Sequence, residues 1–197
     1  MPAKLISIIG PIGVGKTTLA DHLSTELEAT IIHEDYDSNP FLNAAYAGDE
    51  NLQLPSQLYF LMTRARQLTK EKLPDQGLVI SDYGFCQDLI YARRHLNEAD
   101  LEIYQKIADK IRPTIPTPDI LIKLDADVQT LIDRIHNRQR EFEKDIKPDF
   151  LEYLRQAHLD FTPHPSCNVI NVDCQTSDLL NIKNRDALIA QIKSLLT

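Results

Sequence analysis

The segment Gly10-Pro11-Ile12-Gly13-Val14-Gly15-Lys16-Thr17 fits the pattern G-x-x-x-x-G-K-[ST] and constrains the fold more than any other feature of the chain. Such a loop needs a buried strand before it and a helix after it. The apolar run Leu5-Ile6-Ser7-Ile8-Ile9 supplies the strand, and residues 15–28, with Leu19, Ala20, Leu23 and Leu27 on one face, supply the helix. Glycines let backbone N–H groups converge on phosphate oxygens without a Cβ in the way. The helix behind adds its N-terminal donors and positive dipole end. Lys16 brings a point charge to the β- and γ-phosphates, and the Thr17 hydroxyl can ligate Mg²⁺. Residues Gly10 to Thr18 are therefore expected to hold a nucleoside triphosphate, with ATP and Mg²⁺ as the cofactors.

The remaining pattern alternates strands and helices. Thr30–His33, Leu78–Ser81, Ile120–Leu124 and Asn168–Val172 read as four further strands. Leu54, Leu58, Leu61, Ala65 and Leu68 recur at helical spacing and predict an amphipathic helix over 53–72. Helices are also expected over 86–96, 98–111, 127–137 and 148–161, with a last one closing the chain. Strands separated by helices imply parallel pairing. The expected fold class is α/β, a P-loop kinase fold: a five-stranded parallel sheet with helices on both faces and an arginine-rich lid over about 138–147. Nothing in the pattern splits residues 1–197 into two domains.

Composition narrows the function. With 21 basic against 29 acidic residues, the net charge is −8, a surface that does not gather nucleic-acid backbones. No window holds enough uncharged apolar residues to span a membrane. The three cysteines (Cys86, Cys167 and Cys174) form no C-x-x-C pattern, which points to a reducing compartment. The first residues run straight into a strand, leaving no room for a signal or transit peptide, so a cytoplasmic location is expected. No guanine-reading N-K-x-D occurs, and a small chain with a phosphate loop near its start and arginines near its end fits a small-molecule kinase.

Six segments in order then resemble the deoxynucleoside kinase family, above all the bacterial deoxyadenosine and deoxyguanosine kinases. They are GPIGVGKTT; His33-Glu34-Asp35 followed by Asn39-Pro40-Phe41-Leu42; Tyr46; Pro55-Ser56-Gln57-Leu58-Tyr59-Phe60-Leu61 with Arg64; Ser81-Asp82-Tyr83; and Arg138-Gln139-Arg140-Glu141-Phe142-Glu143. The resemblance covers residues 5–161.

It implies that Glu34 is the general base on the substrate 5′-hydroxyl, the role a carboxylate must fill while that oxygen attacks the γ-phosphorus in line. Lys16 and Arg138 would be the catalytic cations, and Asp82 would join Thr17 at the Mg²⁺. Gln57 and Arg64, two helical turns apart on one face, would read the base edge, flanking the apolar stripe of their helix. Asp88 would complete that set, with Gln87 as its rival in register. Tyr46 and Glu143 would take the sugar 3′-hydroxyl, and Tyr91 would add a ring from the opposite wall. Arg134, Arg138 and Arg140 would close over the triphosphate. Ser56 stands where the family often has an aromatic ring, and Tyr83 where it usually has an arginine near the transferring phosphate. His33, at a strand end, reads as a packed or capped residue. The loop from Cys174 to Asp178 resembles the region beside the ATP adenine.

The reading that follows is an ATP-dependent kinase acting on the 5′-hydroxyl of deoxyadenosine or deoxyguanosine, with deoxycytidine next, and the resemblance implies a homodimer packed through helices. The alternative is a nucleotide-binding sensor that has lost efficient transfer, for which Tyr83 is the main support.

Overall fold

In this computed structural model, which describes residues 3–175 and 182–196, the first apolar run forms strand β1 (Lys4–Ile9) at the centre of a five-stranded sheet. The others are β2 (Thr30–Ile32), β3 (Leu78–Ser81), β4 (Ile120–Asp125) and β5 (Asn168–Asp173). Their spatial order is β2-β3-β1-β4-β5 and every pair is parallel. The central strands are apolar on both faces, as burial on two sides requires. Ile6 and Ile8 of β1 point to one side, where they meet Leu19 and Leu23 of helix α1 (Lys16–Glu26) and Leu188 and Ile192 of helix α8 (Ile182–Leu196). Leu5 points to the other, against Leu68 of helix α3 (Gln53–Leu68) and Tyr83.

Helix α3 carries a second apolar cluster on its far side. Leu61 packs there with Ala92 of α4 (Asp88–His95) and with Tyr104 and Ala108 of α5 (Glu98–Ile111). Helices α6 (Val128–Arg138) and α7 (Pro148–Asp160) complete the frame, and a single 3₁₀ turn, Glu141–Glu143, lies between them where the lid is expected.

Differences from the expected elements have local causes. Helix α3 stops at Leu68 because Thr69 is extended, so the charged run at Lys70–Lys72 lies beyond it. The helix expected from residue 86 starts at Asp88, after a 3₁₀ turn over Phe85–Gln87. A five-residue helix, α2 (Leu42–Tyr46), is too short to show a period and ends on Tyr46.

Candidate active site

The C-terminal edge of the sheet opens into a cavity of about 510 Å³. In open parallel sheets this is where ligands bind. The loop after β1 forms its floor. Gly13 and Gly15 adopt φ of +84° and +104°, and a Cβ on Gly13 would meet the Leu131 carbonyl oxygen at 2.8 Å. Only glycine fits those backbone positions without strain. The Lys16 ammonium folds back onto the Gly10 and Pro11 carbonyls at 2.9 and 3.1 Å. Burial lowers its pKa to about 8, against the opposing pull of the Glu34 and Asp82 carboxylates. Gly10 and Pro11 thus meet the lysine from behind, while Ile12 to Thr18 line the cavity.

Asp82, at the exit of β3, is buried and has both oxygens engaged. Oδ2 accepts from the Thr17 hydroxyl at 2.7 Å, and Oδ1 accepts from the Glu34 backbone N–H at 2.8 Å. A hydroxyl and a carboxylate side by side are the sparse protein share of a Mg²⁺ shell whose other oxygens are phosphate and water. This donor set fits the ion, and among the described residues no cluster of three or more His, Cys, Asp or Glu offers a fuller cage. His33, expected to be packed or capped, is not packed but meets two acids. Its side chain is 47% exposed and stands between Asp21 and Asp82, at 3.2 and 3.4 Å.

Glu34 lies on the cavity wall and accepts from Arg64, whose Nε is 2.8 Å from Oε1 and whose Nη2 reaches the same oxygen. The opposite edge of the guanidinium, Nη1, meets Asp88 Oδ1. Its faces are covered by the rings of Phe60 at 5.0 Å and Tyr83 at 5.7 Å. Burial alone would lower the Arg64 pKa, and the charge and hydrogen bond of Glu34 outweigh that and raise it. Gln57 and Arg64, expected on one helical face flanking its apolar stripe, are buried and both line the cavity. Asp88 stands behind Arg64 rather than on the cavity wall. Asp88 Oδ2 and the rival residue's oxygen, Gln87 Oε1, are buried acceptors without a donor.

Tyr46 and Glu143, expected at the sugar, and Tyr91, expected to add a ring, all line the cavity. Burial drives the pKa of both phenols up, and neighbouring carboxylates add to it, so each stays a neutral donor. Glu143 is buried and accepts two bonds from Arg138, at 2.5 and 2.6 Å, with Arg140 at 3.6 Å. Arg134 donates to the Val14 and Cys174 carbonyls at 3.0 and 3.2 Å, tying α6 to the phosphate loop and to the end of β5. Residues 176–178 of the loop expected beside the adenine lie outside the described residues.

Several lining residues escape the sequence reading. Tyr36 holds Arg140 over its ring at 4.0 Å and meets Phe142, which also contacts Tyr46 edge-on. His22 lines the cavity and its Nδ1 is 3.0 Å from Arg185 of α8. Phe60 is on the helical face shared by Gln57 and Arg64, and that spacing is the signal that finds it. Tyr83, in contrast, is fully buried outside the cavity.

Comparison with known proteins agrees with this arrangement. A family model described as deoxynucleoside kinase matches residues 6–197. The chain is 34% identical to a deoxyguanosine kinase of Bacillus subtilis, covering 98% of both chains. It is 28% identical to a deoxyadenosine/deoxycytidine kinase of the same organism over 98% of this chain and 93% of the relative. A solved structure of deoxyadenosine kinase from M. mycoides with bound dATP has the same fold, with a TM-score of 0.79 at 24% identity, covering 97% of this chain and 99% of that one. A phosphate loop facing Glu34, Arg64 and Gln57 across one cavity, in a chain matched almost end to end, leads to one conclusion: this chain belongs to the deoxynucleoside kinase family.

Proposed function

We propose that this deoxynucleoside kinase transfers the γ-phosphoryl group of ATP to the 5′-hydroxyl of a purine deoxynucleoside, deoxyguanosine or deoxyadenosine, with deoxycytidine as a third acceptor. The observation that carries the reading is that the phosphate loop, Glu34, Arg64 and Gln57 line one cavity, with Asp82 linking Thr17 to the Glu34 backbone and Arg64 bonded to the Glu34 carboxylate. Glu34 accepts the hydroxyl proton as the oxygen attacks in line. Lys16 and the lid arginines Arg134, Arg138 and Arg140 offset charge on the transferring group. Thr17 and Asp82 would hold Mg²⁺, which would offset negative charge on the phosphates. Tyr46 and Glu143 bind the 3′-hydroxyl, with Tyr91 closing the pocket.

Gln57 offers one donor and one acceptor, and Arg64 a rigid fork. That pair of groups suits purines or cytosine better than thymine. A homodimer packed through helices, implied by the family resemblance, belongs to this reading. Among the described residues no helix is long and apolar enough to cross a membrane, and the three cysteines are free, in keeping with a cytoplasmic enzyme.

The test is turnover with Mg-ATP and each common deoxynucleoside, for the wild type and for Glu34→Gln. Monophosphate should form with purine deoxynucleosides and fall by at least about 100-fold in the variant, with ATP binding retained. Wild-type turnover in Glu34→Gln would overturn the base assignment.

A further inference from the structure

The peptide unit joining His33 to Glu34 is held at both of its polar atoms, by Asp82 directly and by Tyr83 through Gln67. Its N–H, on Glu34, donates to Asp82 Oδ1 at 2.8 Å. Its C=O, on His33, accepts from Gln67 Nε2 at 3.0 Å, and Gln67 Oε1 accepts in turn from the Tyr83 hydroxyl at 2.7 Å. The direction of this relay is fixed by chemistry. A carbonyl can only accept, so the amide nitrogen of Gln67 faces His33, its oxygen faces Tyr83, and the phenol must donate.

Tyr83 itself is immobilised. It is fully buried among Leu5, Leu68 and Val79, and its ring lies under the Arg64 guanidinium at 5.7 Å. Gln67 is half-buried, one helical turn beyond Arg64 on the same face of α3.

We infer that Tyr83, acting through Gln67, is a positioning residue for the Glu34 carboxylate: it locks the backbone from which the general base projects. This rests on the proposed role of Glu34. It also gives the tyrosine at position 83 a function of its own in place of the arginine that family resemblance leads one to expect. Such an arginine would carry its charge to the phosphate. Tyr83 is outside the cavity and acts instead on the backbone that presents the base. Small misplacements of a reacting group cost up to about 100-fold in rate, so a backbone clamp of this kind belongs to the chemistry rather than to folding alone.

The experiment is a double-mutant cycle on the full chain. Tyr83→Phe keeps the ring and removes only the hydroxyl. Gln67→Met keeps the side-chain length at a half-exposed position, so it reports even if the Tyr83 variant does not fold. Steady-state kinetics with Mg-ATP and deoxyguanosine are measured well below each variant's melting temperature, with Glu34→Gln as control. Each single variant should lower kcat by about 10-fold while the KM for nucleoside and the affinity for ATP move less than about twofold. The double variant should be no worse than Gln67→Met, because Tyr83 acts through that residue.

Wild-type kcat in Gln67→Met, or losses that multiply in the double variant, would overturn the relay. A lowered melting temperature with unchanged kcat would reduce Tyr83 to a core residue and also overturn it. Wild-type activity in Glu34→Gln would mark the failure as belonging to the base assignment itself.

Discussion

Arg64 and Glu34 face one another in the cavity wall, Nε to Oε1 at 2.8 Å, on a helix and on a strand exit that are far apart in sequence. The arginine is almost fully buried and is shared with Asp88, so it stands between two acids with its faces covered by Phe60 and Tyr83. Removing one partner of a buried ion pair leaves an uncompensated charge, which costs more than the pair contributes.

Arg64→Leu should therefore destabilise the protein by about 3 kcal/mol. Adding Asp88→Asn should recover part of that loss, because the second buried carboxylate is then gone. Urea unfolding of the two variants measures both values. No recovery in the double variant would mean that Asp88 is not charged beside Arg64.

The Lys16 ammonium, lowered to about 8 by burial, must be protonated to meet phosphate. Its protonated fraction falls as pH rises through 8. ATP affinity should then weaken above pH 8, by up to about tenfold per pH unit, and be flat below about pH 7. Bound phosphate raises the lysine's pKa again, so ATP binding above pH 8 should take up a proton. Calorimetry in buffers of different ionisation enthalpy reads that proton directly.

Asp82→Asn keeps the size of the side chain and removes the charge beside Thr17. Oδ1 would still accept from the Glu34 N–H, so the fold should survive. The Mg²⁺ concentration for half-maximal activity should rise by about tenfold or more, measured by Mg²⁺ titration at saturating ATP. An unchanged requirement would remove Asp82 from the metal shell.

His158 lies buried on α7, with Nδ1 at 2.7 Å from the Leu154 carbonyl and no partner on Nε2. Burial lowers its pKa to about 4. The neutral ring is the folded form, so its stability contribution is complete above the unfolded pKa of about 6.5 and is lost as pH falls towards 4. That loss is roughly 3 kcal/mol. His158→Leu should show a smaller drop in melting temperature between pH 7 and pH 4.5 than the wild type.

The parts of this fold that repeat a rule were legible in the sequence. Glycines and lysine at fixed spacing marked the phosphate loop, and apolar runs of strand length marked β1 to β5. Helix α2 and the 3₁₀ turns were not legible, because one turn of helix has no period to detect. In the site, Gln57 and Arg64 shared a face by spacing alone. Their burial did not follow from spacing, because the acids that receive Arg64 come from β2's exit and from α4. Tyr36 and Phe142 line the cavity by meeting across two loops, and no local pattern announces such a meeting. His33 reads as packed or capped because it ends a strand. Its two acidic neighbours arrive from α1 and β3.

Asp82 grips Thr17 with one oxygen and the Glu34 backbone with the other, which ties the phosphate loop to the residue proposed as the base, across the exits of β1, β2 and β3. The residues proposed to read the nucleobase sit on a separate element, α3. Arg64 of that helix meets the Glu34 carboxylate itself, so a substitution there that changes which nucleoside is accepted also reaches the proposed base.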